Sequence, residues 1–306
     1  MGYGGHRQPS VFVFFPPYSI PYTPYCANNR STRISDVWSK FPLHVLKSQH
    51  LHTMAGKHVI VANWKMHPAS LREAKKLFEA TRKIADKASR VSVVIAPPAL
   101  FLTPLSTGYK GKKIAFAAQN AHEGDGGAFT GDIAVAQVED VKAHYLLVGH
   151  AERRAAGETN DDTRKKVASA LYYGLTPVLC VGEHVRTQNG EHFGFVRDQL
   201  KAGFQSVDPN AVGKVIVAYE PVWAIGSEEA MSPREMHEMA IFIRKTIVEL
   251  HGAKGHSVKI LYGGAVNEQN AAQMLQFGDV AGLLVGRASI NPKEFAALVE
   301  SIQTNS

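Results

Sequence analysis

Cysteine is scarce: Cys26 and Cys180 are the only two in 306 residues. Two thiols cannot build a disulfide framework, which favours a reducing, cytoplasmic setting. No apolar run is long enough to cross a bilayer, so a helical membrane span is excluded. Acidic residues are nearly missing from the first 53 positions, where Asp36 stands against Arg7, Arg30, Arg33, Lys40 and Lys47. About half of the formal charge of +7 therefore sits in that segment. The remainder suits an anionic small ligand. A basic stripe interleaved with aromatics is also missing, which argues against a nucleic-acid partner.

The opening "MGYGGHRQPSVFVFFPPYSIPYTPYCANNR" has neither helical nor strand periodicity. It lacks the basic, apolar and small-residue order of a secretory signal. Its Arg and Ser content faintly resembles an organelle transit segment. The preferred reading is a misassigned or dispensable extension with the true start at Met54, because a strand pattern begins almost immediately afterwards. The expected organisation is an unstructured extension over residues 1–53 and one catalytic domain over residues 54–306.

From Lys57 onward, short apolar runs alternate with helical patterns. The runs are "HVIVANW", "VSVVIAPP", "KIAFAAQN", "YLLVGH", "TPVLCVGE", "VIVAYEP", "VKILYGG" and "AGLLVG". Each is continuously apolar, as parallel strands covered on both faces require. Segments such as "SLREAKKLFEATRKIADKA" and "SPREMHEMAIFIRKTIVELH" repeat apolar residues at three- and four-residue steps. The second opens with Ser232 as N-cap, Pro233 in the first turn and Glu235 at the capping-box position. Eight such units fit a (β/α)₈ barrel. An open doubly wound sheet shares the local pattern, so the pattern alone leaves both open.

Polar residues gather at the C-terminal ends of the strands, where sites are built in parallel α/β proteins. Strand one ends in Asn63 and Lys65, strand three in Gln119 and Asn120, strand four in His150 and Glu152, and strand six in Glu220. Any one of them alone would be read as a helix cap or a solvated loop residue. Their convergence on one rim argues otherwise. "YGGAVN" and "LLVGRAS" place glycines between strand and helix, where backbone N–H groups can approach an anion. The loops of units seven and eight are the usual phosphate site of barrels. Glu220 stands at a rim beside an apolar wall and is followed by Pro221 and Trp223, a stiff hinge, and by a tip ending in Gly226. That arrangement reads as a general base tied to a lid. Cys180 reads as a buried packing residue.

"NWKMH", "AAQNAHEGDGGAFTGDIA", "VGHAERR", "LCVGE", "AYEPVWAIG", "YGGAVN" and "GLLVGRASI" together resemble triosephosphate isomerase, in order and spacing, from Gly56 to the end. The resemblance implies interconversion of dihydroxyacetone phosphate and glyceraldehyde 3-phosphate without metal or organic cofactor. It makes Glu220 the base, His150 a neutral electrophile, Asn63 a donor to the substrate oxygens and Lys65 the balancing cation held by Glu152. It assigns phosphate binding to the N–H groups of Gly226, Ala265, Gly286 and Arg287, with Tyr262 and Trp223 supporting the lid. It also implies a homodimer through the loop from Gln119 to Asp132, with Thr130 reaching the neighbour's Asn63 and Lys65 and Asp132 pairing with its Arg153. Four positions depart from the family pattern: Ala151, where serine is common; Ala265 and Glu228, which together imply a differently latched lid; and Arg287, whose guanidinium is read as pointing to solvent. Two other readings are a different phosphosugar barrel, which should not keep all these motifs, and an inactive barrel kept for binding, which should have lost Glu220, His150, Asn63 or Lys65.

Overall fold

The computed structural model describes residues 58–186, 189–224 and 231–304. The expected extension and the tip containing Gly226 and Glu228 lie outside the described residues.

All eight apolar runs are strands. In chain order they are β1 (His58–Asn63), β2 (Val91–Ala96), β3 (Ile114–Ala118), β4 (Tyr145–Val148), β5 (Thr176–Val181), β6 (Ile216–Tyr219), β7 (Lys259–Tyr262) and β8 (Gly282–Val285). Each pairs in parallel with the next, and β1 pairs with β8 to close the barrel. Closure decides between the two architectures that the sequence pattern left open. The helices are α1 (Leu71–Lys87), α2 (Ala99–Ser106), α3 (Val135–Asp140), α4 (Ala151–Ala155), α5 (Asn160–Tyr172), α6 (Glu191–Phe204), α7 (Pro233–His251), α8 (Ala271–Phe277) and α9 (Pro292–Thr304). The short α4 is an extra turn in the fourth unit, placed between β4 and the main helix α5.

Side chains alternate across each strand, so one strand feeds two cores. Val59, Val61, Val94, Ala117, Leu147, Val178, Cys180, Ala218, Leu261 and Leu284 fill the barrel interior. Their neighbours, such as Ile60, Ala62, Leu146, Leu179 and Val217, pack outward against the helices. That two-sided burial is why the runs are continuously apolar. Cys180 is fully buried in the interior, and burial pushes its thiol well up from the ordinary value.

The helices meet this shell along one stripe. In α1 the buried residues are Ala74, Leu77, Phe78, Thr81 and Ala85, at three- and four-residue steps, and the Ser70 hydroxyl accepts from the Glu73 N–H to start the helix. α7 begins as the sequence reading expects: Ser232 caps it, Pro233 follows, and the Glu235 side chain returns the capping-box bond.

The seam between β1 and β8 is tight. A Cβ at Gly282 would lie 1.9 Å from the Val59 carbonyl oxygen, so backbone rather than a side chain would have to move. Gly282→Ala should therefore open the seam and lower unfolding stability by several kcal/mol (about 3 or more), read by chemical denaturation.

Candidate active site

The strand alternation continues past the last apolar layer and builds the site. Two residues beyond Val61, Ala117 and Ala218 stand Asn63, Gln119 and Glu220; two beyond Leu147, Leu261 and Leu284 stand Gly149, Gly263 and Gly286. Polar side chains thus share a layer with residues that have no side chain. The close approach is real at Gly263, where a Cβ would lie 2.8 Å from Glu220 Cγ.

Five of the expected residues form one connected chain. Asn63 Oδ1 accepts from the Lys65 N–H at 3.0 Å, which closes the turn after β1 with Lys65 at φ 52°. Lys65 Nζ pairs with Glu152 Oε1 at 2.5 Å. The Glu152 N–H donates to His150 Nδ1 at 3.2 Å. His150 Nε2 faces Glu220 Oε1 at 3.2 Å, and Glu220 Oε2 accepts from the Ala151 N–H at 3.2 Å. A backbone N–H can only donate, so Nδ1 is the acceptor and the neutral ring carries its proton on Nε2, toward Glu220. His150 and Glu220 are both buried, whereas the Lys65–Glu152 pair is partly open to solvent. Gln119 supports the group from β3, donating from Nε2 to the carbonyls of Lys65 and Ala96 at 2.8 Å each.

Gly286 sits against the Lys65 side chain: a Cβ there would meet Lys65 Cε at 3.2 Å. The β8 glycine loop and the lysine are therefore neighbours, as an anion site needs. Arg287 is exposed, and Ala265 is half-buried with its carbonyl accepting from Asn270 Nδ2 at 2.7 Å. Tyr262 is fully buried, with the N–H groups of Met231 and Ala265 facing its hydroxyl. Burial pushes that hydroxyl up to about 12, opposed by the nearby N–H groups of Met231 and Ala265. Thr130 is exposed, while the next two residues, Gly131 and Asp132, line the same cleft as Asn63 and Lys65.

Trp223 is anchored by a residue given no role in the sequence reading. Glu183, at the end of β5, accepts from Trp223 Nε1 at 2.9 Å and from the Tyr219 hydroxyl at 2.8 and 2.9 Å. Its own carbonyl accepts from the Val222 N–H at 2.9 Å. The available signal was position: "LCVGE" ends in a carboxylate at the same rim as Glu220. Arg186 lies over the Trp223 ring and pairs with Glu235 at 3.2 Å.

A cleft of about 540 Å³ opens beside the chain of five, lined by Asn63, Lys65, His150, Glu152, Asp132 and Arg153 among others. Glu220 does not line it; its carboxylate is turned behind His150 instead. A buried carboxylate facing an imidazole, with a lysine and a glycine loop at the C-terminal mouth of a closed barrel, defines a (β/α)₈ enzyme suited to proton transfer on a small anionic substrate.

A family model described as triosephosphate isomerase matches residues 58–302. The chain is 38% identical to the triosephosphate isomerase of Xylella fastidiosa over 79% of its own length and 98% of that protein. It is 37% identical to that of Flavobacterium johnsoniae over 80% of its length and 99% of the relative. With the enzyme of Idiomarina loihiensis the values are 35%, 82% and 100%. The chain belongs to the triosephosphate isomerase family.

The Glu235 carboxyl is held below its ordinary value of 4.5, first by the Ser232 hydroxyl and with help from Arg186. A carboxylate with a lowered folded pKa stabilises fully above its unfolded value and loses that contribution as pH falls through the folded one. Ser232→Ala should therefore lower the denaturant midpoint most at pH 7; the difference should narrow as pH falls through the lowered folded value, leaving the part carried by the Ser232 hydroxyl that accepts from the Glu235 N–H.

Proposed function

We propose that this chain interconverts dihydroxyacetone phosphate and D-glyceraldehyde 3-phosphate, an aldose–ketose isomerisation of glycolysis and gluconeogenesis that needs no metal or organic cofactor. The observation that carries the reading is the buried contact between Glu220 and His150, beside Lys65 and Gly286 at the barrel mouth. In this reading Glu220 takes a proton from one substrate carbon and returns it to the next. His150 Nε2–H polarises the carbonyl and moves the oxygen protons; a neutral donor matches the proton affinity of an enediolate better than an imidazolium does. Asn63 donates to the substrate oxygens. Lys65, oriented by Glu152, offsets the negative charge that develops on the enediolate.

The phosphate is assigned to the N–H groups of Ala265, Gly286 and Arg287, joined by Gly226 from the segment after Trp223. That segment is read as the lid that excludes water from the enediolate, with Tyr262 contributing to its closure. Glu220 is turned to His150 and Ala151, so in this reading the carboxylate separates from His150 to reach the substrate carbon. Retention of Glu220, His150, Asn63 and Lys65 together speaks against an inactive barrel.

Glu220→Asp withdraws the carboxylate by one methylene. It should lower kcat by about 100-fold or more while KM stays within a few-fold, in a coupled isomerase assay. Full activity in that variant would remove Glu220 from its role as base.

The working unit in this reading is a homodimer in which the loop from Gln119 to Asp132 enters the cleft of a second copy. Three exposed apolar residues support it: Met66 at 90%, Leu100 at 86% and Phe129 at 49% exposure, more than a free surface would favour. The loop is internally braced, with the Phe129 ring 4.0 Å from His122 and the Asp132 N–H bonded to the Phe129 carbonyl. Thr130 then reaches the neighbour's Asn63 and Lys65, and Asp132 its Arg153. We place the enzyme in the cytoplasm on its cysteine usage; among the described residues no helix is long and apolar enough to cross a membrane. Deleting Asp125 to Thr130 should give a monomer in sedimentation with kcat reduced about 100-fold or more, since the sites would lose their completing residues. A deletion variant that stays dimeric and active would remove the loop from the interface.

A further inference from the structure

The motif "GHAERR" contains one residue that the proposed chemistry does not use. Arg154 lies in α4, four positions after His150, where a short surface helix would ordinarily leave an arginine in solvent. Instead its guanidinium turns back under the site wall. Nε donates to the Gly149 carbonyl at 2.7 Å, Nη1 to Asn160 Oδ1 at 2.8 Å and Nη2 to the Cys180 carbonyl at 3.2 Å. Burial lowers this guanidinium from its ordinary value, so the position costs solvation that the three bonds offset.

The other side of the same residue is held by the opposite charge. The Gly149 N–H donates to Glu158 Oε1 at 3.0 Å, and Glu158 is buried with Lys166 at 3.4 Å and Arg153 at 3.7 Å. Gly149 is therefore gripped at its N–H by a carboxylate and at its C=O by a guanidinium, immediately before His150. It also has φ +70°, and a Cβ there would lie 2.8 Å from Arg154 Nη2. Glycine is required both by the backbone angle and by the guanidinium.

We propose that Arg154 and Glu158 are positioning residues for His150: by fixing the Gly149 backbone from both sides they aim the imidazole so that Nδ1 meets the Glu152 N–H and Nε2–H faces the reacting centre. Neither residue lines the cleft itself, although Glu158 pairs with Arg153, which does, so their effect on His150 passes through the turn. Arg154 also ties that turn to β5 through Cys180 and to the first residue of α5 through Asn160, so the aim of His150 is set by three elements rather than by α4 alone. The inference rests on the proposed role of His150.

The test compares Arg154→Lys with wild type, using isomerase kinetics and ¹⁵N NMR of histidine-labelled full-length protein. A lysine keeps the charge but cannot reach all three acceptors. The expected result is a kcat lower by about 10- to 100-fold, a KM within about threefold, and a His150 signal shifted from the pure Nε2–H pattern toward mixed tautomers. Unchanged kcat, or a loss matched by KM with an unchanged His150 signal, overturns the proposal. If Arg154→Lys does not fold, the Glu158 pair carries the test. Glu158→Gln keeps an acceptor for the Gly149 N–H and should retain most of the kcat that Glu158→Ala loses; equal losses overturn it. His150→Gln in the same assay separates the two claims. If that variant keeps full kcat, the role of His150 has failed, and the tautomer signal in Arg154→Lys then decides the positional claim alone.

Discussion

Closure of the sheet through β1 and β8 is the constraint on which the site depends. Once eight parallel strands close, every second residue points to the axis, and no strand can shift register without turning its apolar set to the wrong side. The interior layer of Val61, Ala117, Ala218 and Leu284 therefore dictates what occupies the next layer up. Asn63, Gln119 and Glu220 come from strands far apart in sequence, yet the shared register brings them to one mouth. Glycines at the matching positions after β7 and β8 leave the space into which the Glu220 and Lys65 side chains pack.

Three carboxylates are buried near this mouth, and their partners separate their roles. Burying a carboxylate is costly unless donors or cations replace water. Glu183 is met by the Tyr219 hydroxyl and Trp223 Nε1, and Glu158 by the Gly149 N–H, Lys166 and Arg153. These two are held from several directions and serve as fixed points. Glu220 is held by one backbone N–H and one imidazole, and among the described residues no lysine or arginine forms an ion pair with it. It has the fewest partners of the three, which suits the role of moving base proposed for it. Its burial keeps it away from bulk water while it waits.

What could be read from the sequence follows the range of the interactions. The helix start at Ser232 was legible because the capping box is local, all within four residues. The rim residues were legible because period two and the strand ends are themselves sequence patterns. Glu220 announced itself as a charge closing an apolar run. Closure was not legible from the pattern, since open and closed sheets share the same units. Nor were Glu183 and Arg154 given their places: Glu183 serves through Tyr219 and Trp223, 36 and 40 positions away. Arg154 reads as one more surface charge until α4 proves short enough to turn it back onto Gly149. Thr130 could be assigned only through the resemblance, because its single-chain surroundings show an exposed loop residue.

The stiffness behind Glu220 has a structural reason. The chain enters positions 225–230 from Trp223, fixed to Glu183, and leaves them into Ser232, fixed to Glu235. Arg186 joins those two anchors, with its guanidinium over the Trp223 ring and paired to Glu235. Both ends of the segment thus stand on one charge cluster, so the separation of the ends is set by the barrel and not by the segment. Pro221 and Trp223 then transmit that fixed position back to Glu220, two residues before the Val222–Ala224 turn begins. A flexible connection here would let the carboxylate drift independently of the chain that follows it. A stiff one makes the location of the Glu220 carboxylate and the starting point of the segment a single geometric variable, which is the physical consequence of placing proline and tryptophan directly after it.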